Sequence, residues 1–140
     1  NGNELSFESD LPYDVNAPVI EVKLEDYGDF YIDTMDNESR YNGKTVSLTC
    51  QAFFAPTLPP NTFVAGRFAL TCCADDIQLL GHLAAYSGKI SVLSESWVNV
   101  KAVIHYTTFG GNTEKQILLD VISVKLAKQL SYEEGLLTLK

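Results

Sequence analysis

Trp97-Val98-Asn99-Val100-Lys101-Ala102-Val103-Ile104-His105-Tyr106-Thr107 carries the clearest periodicity in the chain. Val98, Val100, Ala102 and Ile104 alternate with Asn99, Lys101, Val103 and His105, and a period of two puts the first set on one face of a strand and the second on the other. Gly110-Gly111-Asn112 follows as a natural hairpin turn, and Gln116 to Leu126 resumes an apolar pattern. The two segments are therefore expected to pair antiparallel.

The same period appears upstream. From Thr45, the side chains of Val46, Leu48, Cys50, Ala52 and Phe54 fall on one face and those of Ser47, Thr49 and Gln51 on the other. Pro56, Pro59 and Pro60 then break the ladder, because proline cannot donate to it. Phe63 to Cys73 alternates again, and Phe68, Leu70 and Cys72 are read as its inward set, with Arg67 on the opposite face as a solvated charge. Ile77 to Tyr86 is apolar and ambiguous between strand and helix. Nearer the start, Val19 to Val22 reads as a short strand. Tyr27, Phe30, Tyr31 and Met35 recur at helical spacing, and Asn42-Gly43 closes that region as a turn. Strands of this length, one helix and Gly/Pro-rich connections predict a mainly β chain, a small OB-like antiparallel β-barrel with one short helix near the N-terminus. The barrel is expected over residues 19–126, after a solvated lead-in at 1–18 and before a C-terminal extension at 127–140.

At 140 residues the chain is the size of one domain. Its 10 basic residues against 18 acids give a net charge of −8, which disfavours a phosphate backbone and an anionic membrane surface. No apolar run approaches the length of a membrane span. The opening is not a Met, which is read as a missing upstream segment. Three cysteines do not form an even disulfide framework.

Three blocks carry a family resemblance: Tyr41-Asn42-Gly43-Lys44-Thr45-Val46, then Gly66-Arg67-Phe68-Ala69-Leu70-Thr71-Cys72-Cys73-Ala74-Asp75, then Ser96-Trp97-Val98-Asn99-Val100. Together they resemble an uncharacterised bacterial family, the subunit of a two-component membrane permease complex. The resemblance implies a soluble domain held at the cell membrane by a segment absent from this chain. It also implies that the domain lies outside the cytoplasm, with the permease as partner. Cys50 and Ala102 stand where that family usually has a strand glycine, and its Pro-rich closing segment is not evident after Leu126.

The chemistry-bearing residues cluster at the end of the third block of alternation. Cys72, Cys73 and Asp75, with His82, make a thiolate, carboxylate and imidazole set suited to zinc, or to copper(I) if the thiolates dominate. Against this, buried free cysteines are common packing residues. A third reading joins Cys50 and Cys72 in a disulfide between neighbouring strands. Arg67, Asp76 and Trp97 are candidate ligand or partner contacts, Arg67 also pairing with Asp75 or Asp76, and Trp97 serving either as a platform or as a core lid. No Ser-His-Asp order, phosphate loop or His-Glu-x-x-His motif appears. The expected function is a non-enzymatic permease-associated domain, with an OB-type oligosaccharide or oligonucleotide module and a thiol redox protein as alternatives.

Overall fold

The computed structural model describes residues 10–70, 76–108 and 113–139. β1 (Ile20–Val22) leads through a 3-10 turn (Leu24–Asp26) into α1 (Tyr27–Asp36) and α2 (Glu38–Tyr41). Then come β2 (Thr45–Phe53), β3 (Thr62–Leu70), β4 (Ile77–Ala85), β5 (Ser96–Thr107) and β6 (Gln116–Leu126). α3 (Tyr132–Gly135) and β7 (Leu137–Thr138) end the described chain. Gly43, at φ +83°, turns the chain into β2, and its N–H donates to the Ile104 carbonyl at 2.7 Å. Only glycine takes that backbone conformation without cost.

β2 pairs antiparallel with both β3 and β5, as β3 does with β4 and β5 with β6. Parallel pairing of β4 with β6 closes the ring β2-β3-β4-β6-β5. The mainly β barrel and its short N-terminal helix are thus as expected, but the antiparallel expectation is corrected to a mixed barrel. The reason is parity: strand direction cannot alternate all the way round an odd ring, so one neighbouring pair must be parallel. Ile77 to Ala85, ambiguous in the sequence, is strand.

The core is the inward set of every strand: Val46, Leu48, Cys50 and Ala52; Val98, Val100, Ala102 and Ile104; Leu119 and Val121. Each large apolar side chain so buried contributes about 1.5–3 kcal/mol. α1 covers one end with Tyr27 and Phe30. The Tyr27 hydroxyl donates to the carbonyls of Ala65 and Leu80 at 3.1 and 3.3 Å. Here β3 and β4 approach closely, because Gly66 and Gly81 are register partners. A Cβ on Gly66 would lie 2.7 Å from the Leu80 carbonyl oxygen, and one on Gly81 would lie 2.8 Å from that of Ala65.

β3 overturns one expectation. Its inward residues are Phe63, Ala65, Arg67 and Ala69, whereas Phe68 and Leu70 stand half-buried on the outside. Both faces of this strand are apolar enough to be core, so alternation fixes two sets without saying which is inside. Cys72, grouped with Phe68 and Leu70 by the sequence pattern, lies outside the described residues.

The β2–β3 seam is only partly zipped. Main-chain pairing joins Gln51–Phe53 to Val64–Gly66; beyond it, β1 lies along β2 at Val46–Leu48, and β7 lies along β3 at Ala69–Leu70. The first and last strands each patch one lip of an open V.

Candidate functional site

Arg67 occupies the V. Its guanidinium donates to the Leu24 carbonyl at 2.5 Å, just past β1, and to the Gly135 carbonyl at 3.0 Å, just before β7. Its Cζ lies 5.1 Å from the centroid of the Trp97 ring and 5.7 Å from that of Tyr27. Only 1% of the residue is exposed, and its Nε has no hydrogen-bond partner among the described residues. Burial pushes the guanidinium below its ordinary pKa. The solvated charge expected at Arg67 is therefore corrected to a buried bolt, held by carbonyls and aromatic faces instead of a carboxylate. Carbonyl dipoles and ring quadrupoles can stabilise an arginine because it is more weakly hydrated than an ammonium.

Trp97 is the lid of this arrangement. It shares the outward parity of Asn99 and Lys101, yet it is 3% exposed because residues 127–135 cover it. Gln129 clasps its backbone from both sides, accepting from the Trp97 N–H and donating to the Trp97 carbonyl, each at 2.9 Å. Gly135 lies on the indole so closely that a Cβ there would be 2.2 Å from it. The Ser131 hydroxyl and Glu134 carboxylate complete a capping box that starts α3.

His82 sits on the inward face of β4 at 5% exposure. Its Nε2 lies 3.0 Å from the Thr34 hydroxyl, and its ring stacks on Tyr31 at 5.1 Å. Burial holds its pKa down at about 4. It stands five residues along β4 from Ile77, roughly 16 Å by strand rise, and its ring faces α1. Cys72, Cys73 and Asp75, the other members of the expected metal set, lie outside the described residues. Among the described residues no group of three His, Cys, Asp or Glu side chains could hold a metal ion. His105 is exposed, 3.8 Å from Asp120.

Cys50 is a free thiol with no exposed surface, and burial pushes its pKa up to about 12. Its expected pairing with Cys72 reaches beyond the described residues. A thiol so buried and so little ionised is a poor nucleophile. Iodoacetamide at neutral pH should therefore leave Cys50 unmodified in the native chain and alkylate it promptly in urea; peptide mass mapping reads the difference, and rapid native labelling would contradict the packing.

What the periodicity did not reveal is the outer face of β3 and β4. Leu70 is the register partner of Ile77, Phe68 of Leu79 and Val64 of Leu83, so three cross-strand rows, the last separated from the other two by the Gly66/Gly81 pair, are apolar on the side away from the core. Ile77 and Leu79 are 39% and 42% exposed. Phe53 adds an edge-on contact to Phe68 at 5.5 Å, and Tyr132 packs on the other side of Phe68 at 6.1 Å. The signal for this face was present: between Ile77 and Tyr86 only Gln78 and His82 are polar, which is more apolar than one buried face requires. Residues 71–75, with both remaining cysteines, fall between the two strands in the sequence and lie outside the described residues.

A cleft of about 240 Å³ opens beside this face, lined by Phe68, Trp97, Tyr132, Gln51, Glu95 and Gln129 among others. Among known families, residues 4–132 match the DUF1980 C-terminal domain. No curated protein and no solved structure matches the chain.

Proposed function

The chain belongs to the DUF1980 C-terminal domain family, and on that premise we propose that it is a non-enzymatic binding module of a membrane-anchored, permease-associated protein. It meets its permease partner outside the cytoplasm, through the outer face of β3 and β4. The observation that carries this reading is the apolar ladder Leu70/Ile77, Phe68/Leu79, Val64/Leu83 on a chain of net charge −8. A hydrated, acidic surface has no need of such a strip, and exposed rows of this kind mark interaction sites. The partner surface that fits it is an apolar strip flanked by basic residues. Anchoring both proteins in one membrane makes the encounter effectively intramolecular, so a patch of this modest extent suffices. Cys72 and Cys73 follow β3 in the sequence, and a thiophilic metal ion, zinc or copper(I), is the ligand their chemistry would take.

A second reading, an oligosaccharide module of OB type, is favoured by the cleft in which Phe68 and Tyr132 stand beside the amide of Gln51. Sugars are held by aromatic faces and planar amides in this manner.

The two readings separate in one experiment. In the membrane-anchored full-length protein, Leu79→Glu should abolish co-purification with the permease subunit, while Tyr132→Ala leaves it intact. Undiminished co-purification of a folded Leu79→Glu protein would remove the docking face. Glycan-array binding lost in Tyr132→Ala and kept in Leu79→Glu would favour the sugar module. Cys72→Ser with Cys73→Ser, followed by native mass spectrometry, reports whether the turn takes metal.

A further inference from the structure

On the opposite side of the barrel from β3 and β4, we propose a binding site for a compact phosphate-bearing anion, built on the outer face of β1, β2, β5 and β6. The inference does not rest on the permease reading and uses none of its residues. Two register rows cross these strands. Glu21, Ser47, Lys101 and Ser123 are successive partners in one, and Thr49, Asn99 and Lys125 in the other. Lys23, one residue beyond Val22 on β1, comes level with the second row.

A groove of about 500 Å³ lies over these rows, with Val22, Leu48 and Val100 in its floor. Lys23 and Lys125 stand at its two sides, three strand spacings or roughly 14 Å apart at their Cα atoms. Each lysine stem reaches roughly 6 Å, so both ammonium groups can close on one ligand above Thr49 and Asn99, with Lys101 adjoining. All three lysines are exposed, and none makes an ion pair among the described residues. Elsewhere, Arg40 and Lys115 pair with Asp33 and Glu38, Lys44 is bonded to the Val15 carbonyl and Arg67 is buried, while Lys89 and Lys128 lie outside the groove lining.

The polar lining is set for an acceptor-rich ligand. The Thr49 hydroxyl donates to Asn99 Oδ1 at 2.5 Å. That fixes the amide with its N–H groups turned away from Thr49 and without a partner among the described residues. Ser47 and Ser123 flank Lys101 and add hydroxyl donors. Glu21 is the one acid in the lining, leaving the groove positive on a chain that is otherwise more acidic than its net charge of −8. That contrast selects the size of the ligand: a long polyanion would run onto repelling surface, whereas a phosphate or diphosphate group fits within the groove.

Titration calorimetry and amide chemical-shift mapping of the folded chain with inorganic pyrophosphate test the site. The expected result is binding that weakens with added sodium chloride, with shifts confined to the two rows and a loss of affinity of about tenfold for each of Lys101→Gln and Lys125→Gln. Sedimentation with phosphatidylglycerol vesicles distinguishes the source. Co-sedimentation lost in the same variants assigns a lipid headgroup, and pyrophosphate binding without co-sedimentation assigns a soluble phosphate compound. Absence of both, or pyrophosphate shifts that map elsewhere or survive both substitutions, overturns the proposal.

Discussion

Arg67→Ala should lower the free energy of unfolding by about 3 kcal/mol and shift the emission of Trp97 to the red. Two opposed effects set that magnitude. The substitution relieves the cost of holding a cation out of water with no carboxylate beside it among the described residues. It also strands the part-buried carbonyl of Leu24 and the buried one of Gly135, the latter at about 1–3 kcal/mol and the former at less, and opens a cavity between Tyr27 and Trp97. The losses win because the charge already has favourable partners. Arg67→Met keeps the volume and removes only the hydrogen bonds and the charge, so it should fall between wild type and alanine. Urea unfolding followed at Trp97, the single tryptophan, measures both variants. A methionine variant as stable as wild type would mean that Arg67 does not hold the seam.

The second large effect is acid sensitivity traceable to His82. In the native chain its pKa is held at about 4 by burial, against 6.5 in the open chain. Between those values the unfolded state binds a proton that the folded state refuses. Stability from this residue is therefore complete above about pH 6.5, falls as pH drops through the window, and levels off near pH 4. The full difference is roughly 3 kcal/mol, of which about 2 kcal/mol is lost between pH 7.5 and pH 5. Asp36, Glu38 and Glu114 line the cleft that borders His82, and desolvation of the ring is the cause of the shift. His82→Gln keeps a polar atom near Thr34 and does not titrate. The gap between the pH profiles of the two proteins isolates the histidine from carboxylates common to both. Parallel profiles from pH 7.5 to pH 5 would mean that the ring is charged or hydrated in the native state.

The barrel was legible because β2 and β5 are half-buried strands whose alternation reports their faces directly. α1 was legible from the spacing of Tyr27, Phe30 and Tyr31. β3 was not, since Phe63 and Ala65 are as apolar as Phe68 and Leu70, and period two is blind to which set turns inward. The role of Arg67 was hidden for another reason: its partners are main-chain carbonyls 43 and 68 residues away, and a carbonyl leaves no mark in a sequence. Ser131 and Glu134, by contrast, are an open signature of a helix start that the reading of 127–140 passed over. Lys23, Lys101 and Lys125 meet only through the register of four strands, and no local pattern announces them.

Joining the chain's first strand and its last at one seam has a consequence for synthesis. While residues up to Leu126 have emerged from the ribosome, the sheet can curl but β3 lacks its β7 neighbour, and Arg67 has only the Leu24 half of its anchorage. The nascent barrel is then an open cup with a bare strand edge, the kind of surface that pairs with other chains. Completion waits for Gly135 and Leu137, so closure is a late, long-range event, slowed by the loop entropy of bringing distant segments together. Residues 127–139 thus act as a latch on the timing of folding, and the interval between the emergence of Leu126 and that of Leu137 is the one in which the barrel is most exposed to misassembly.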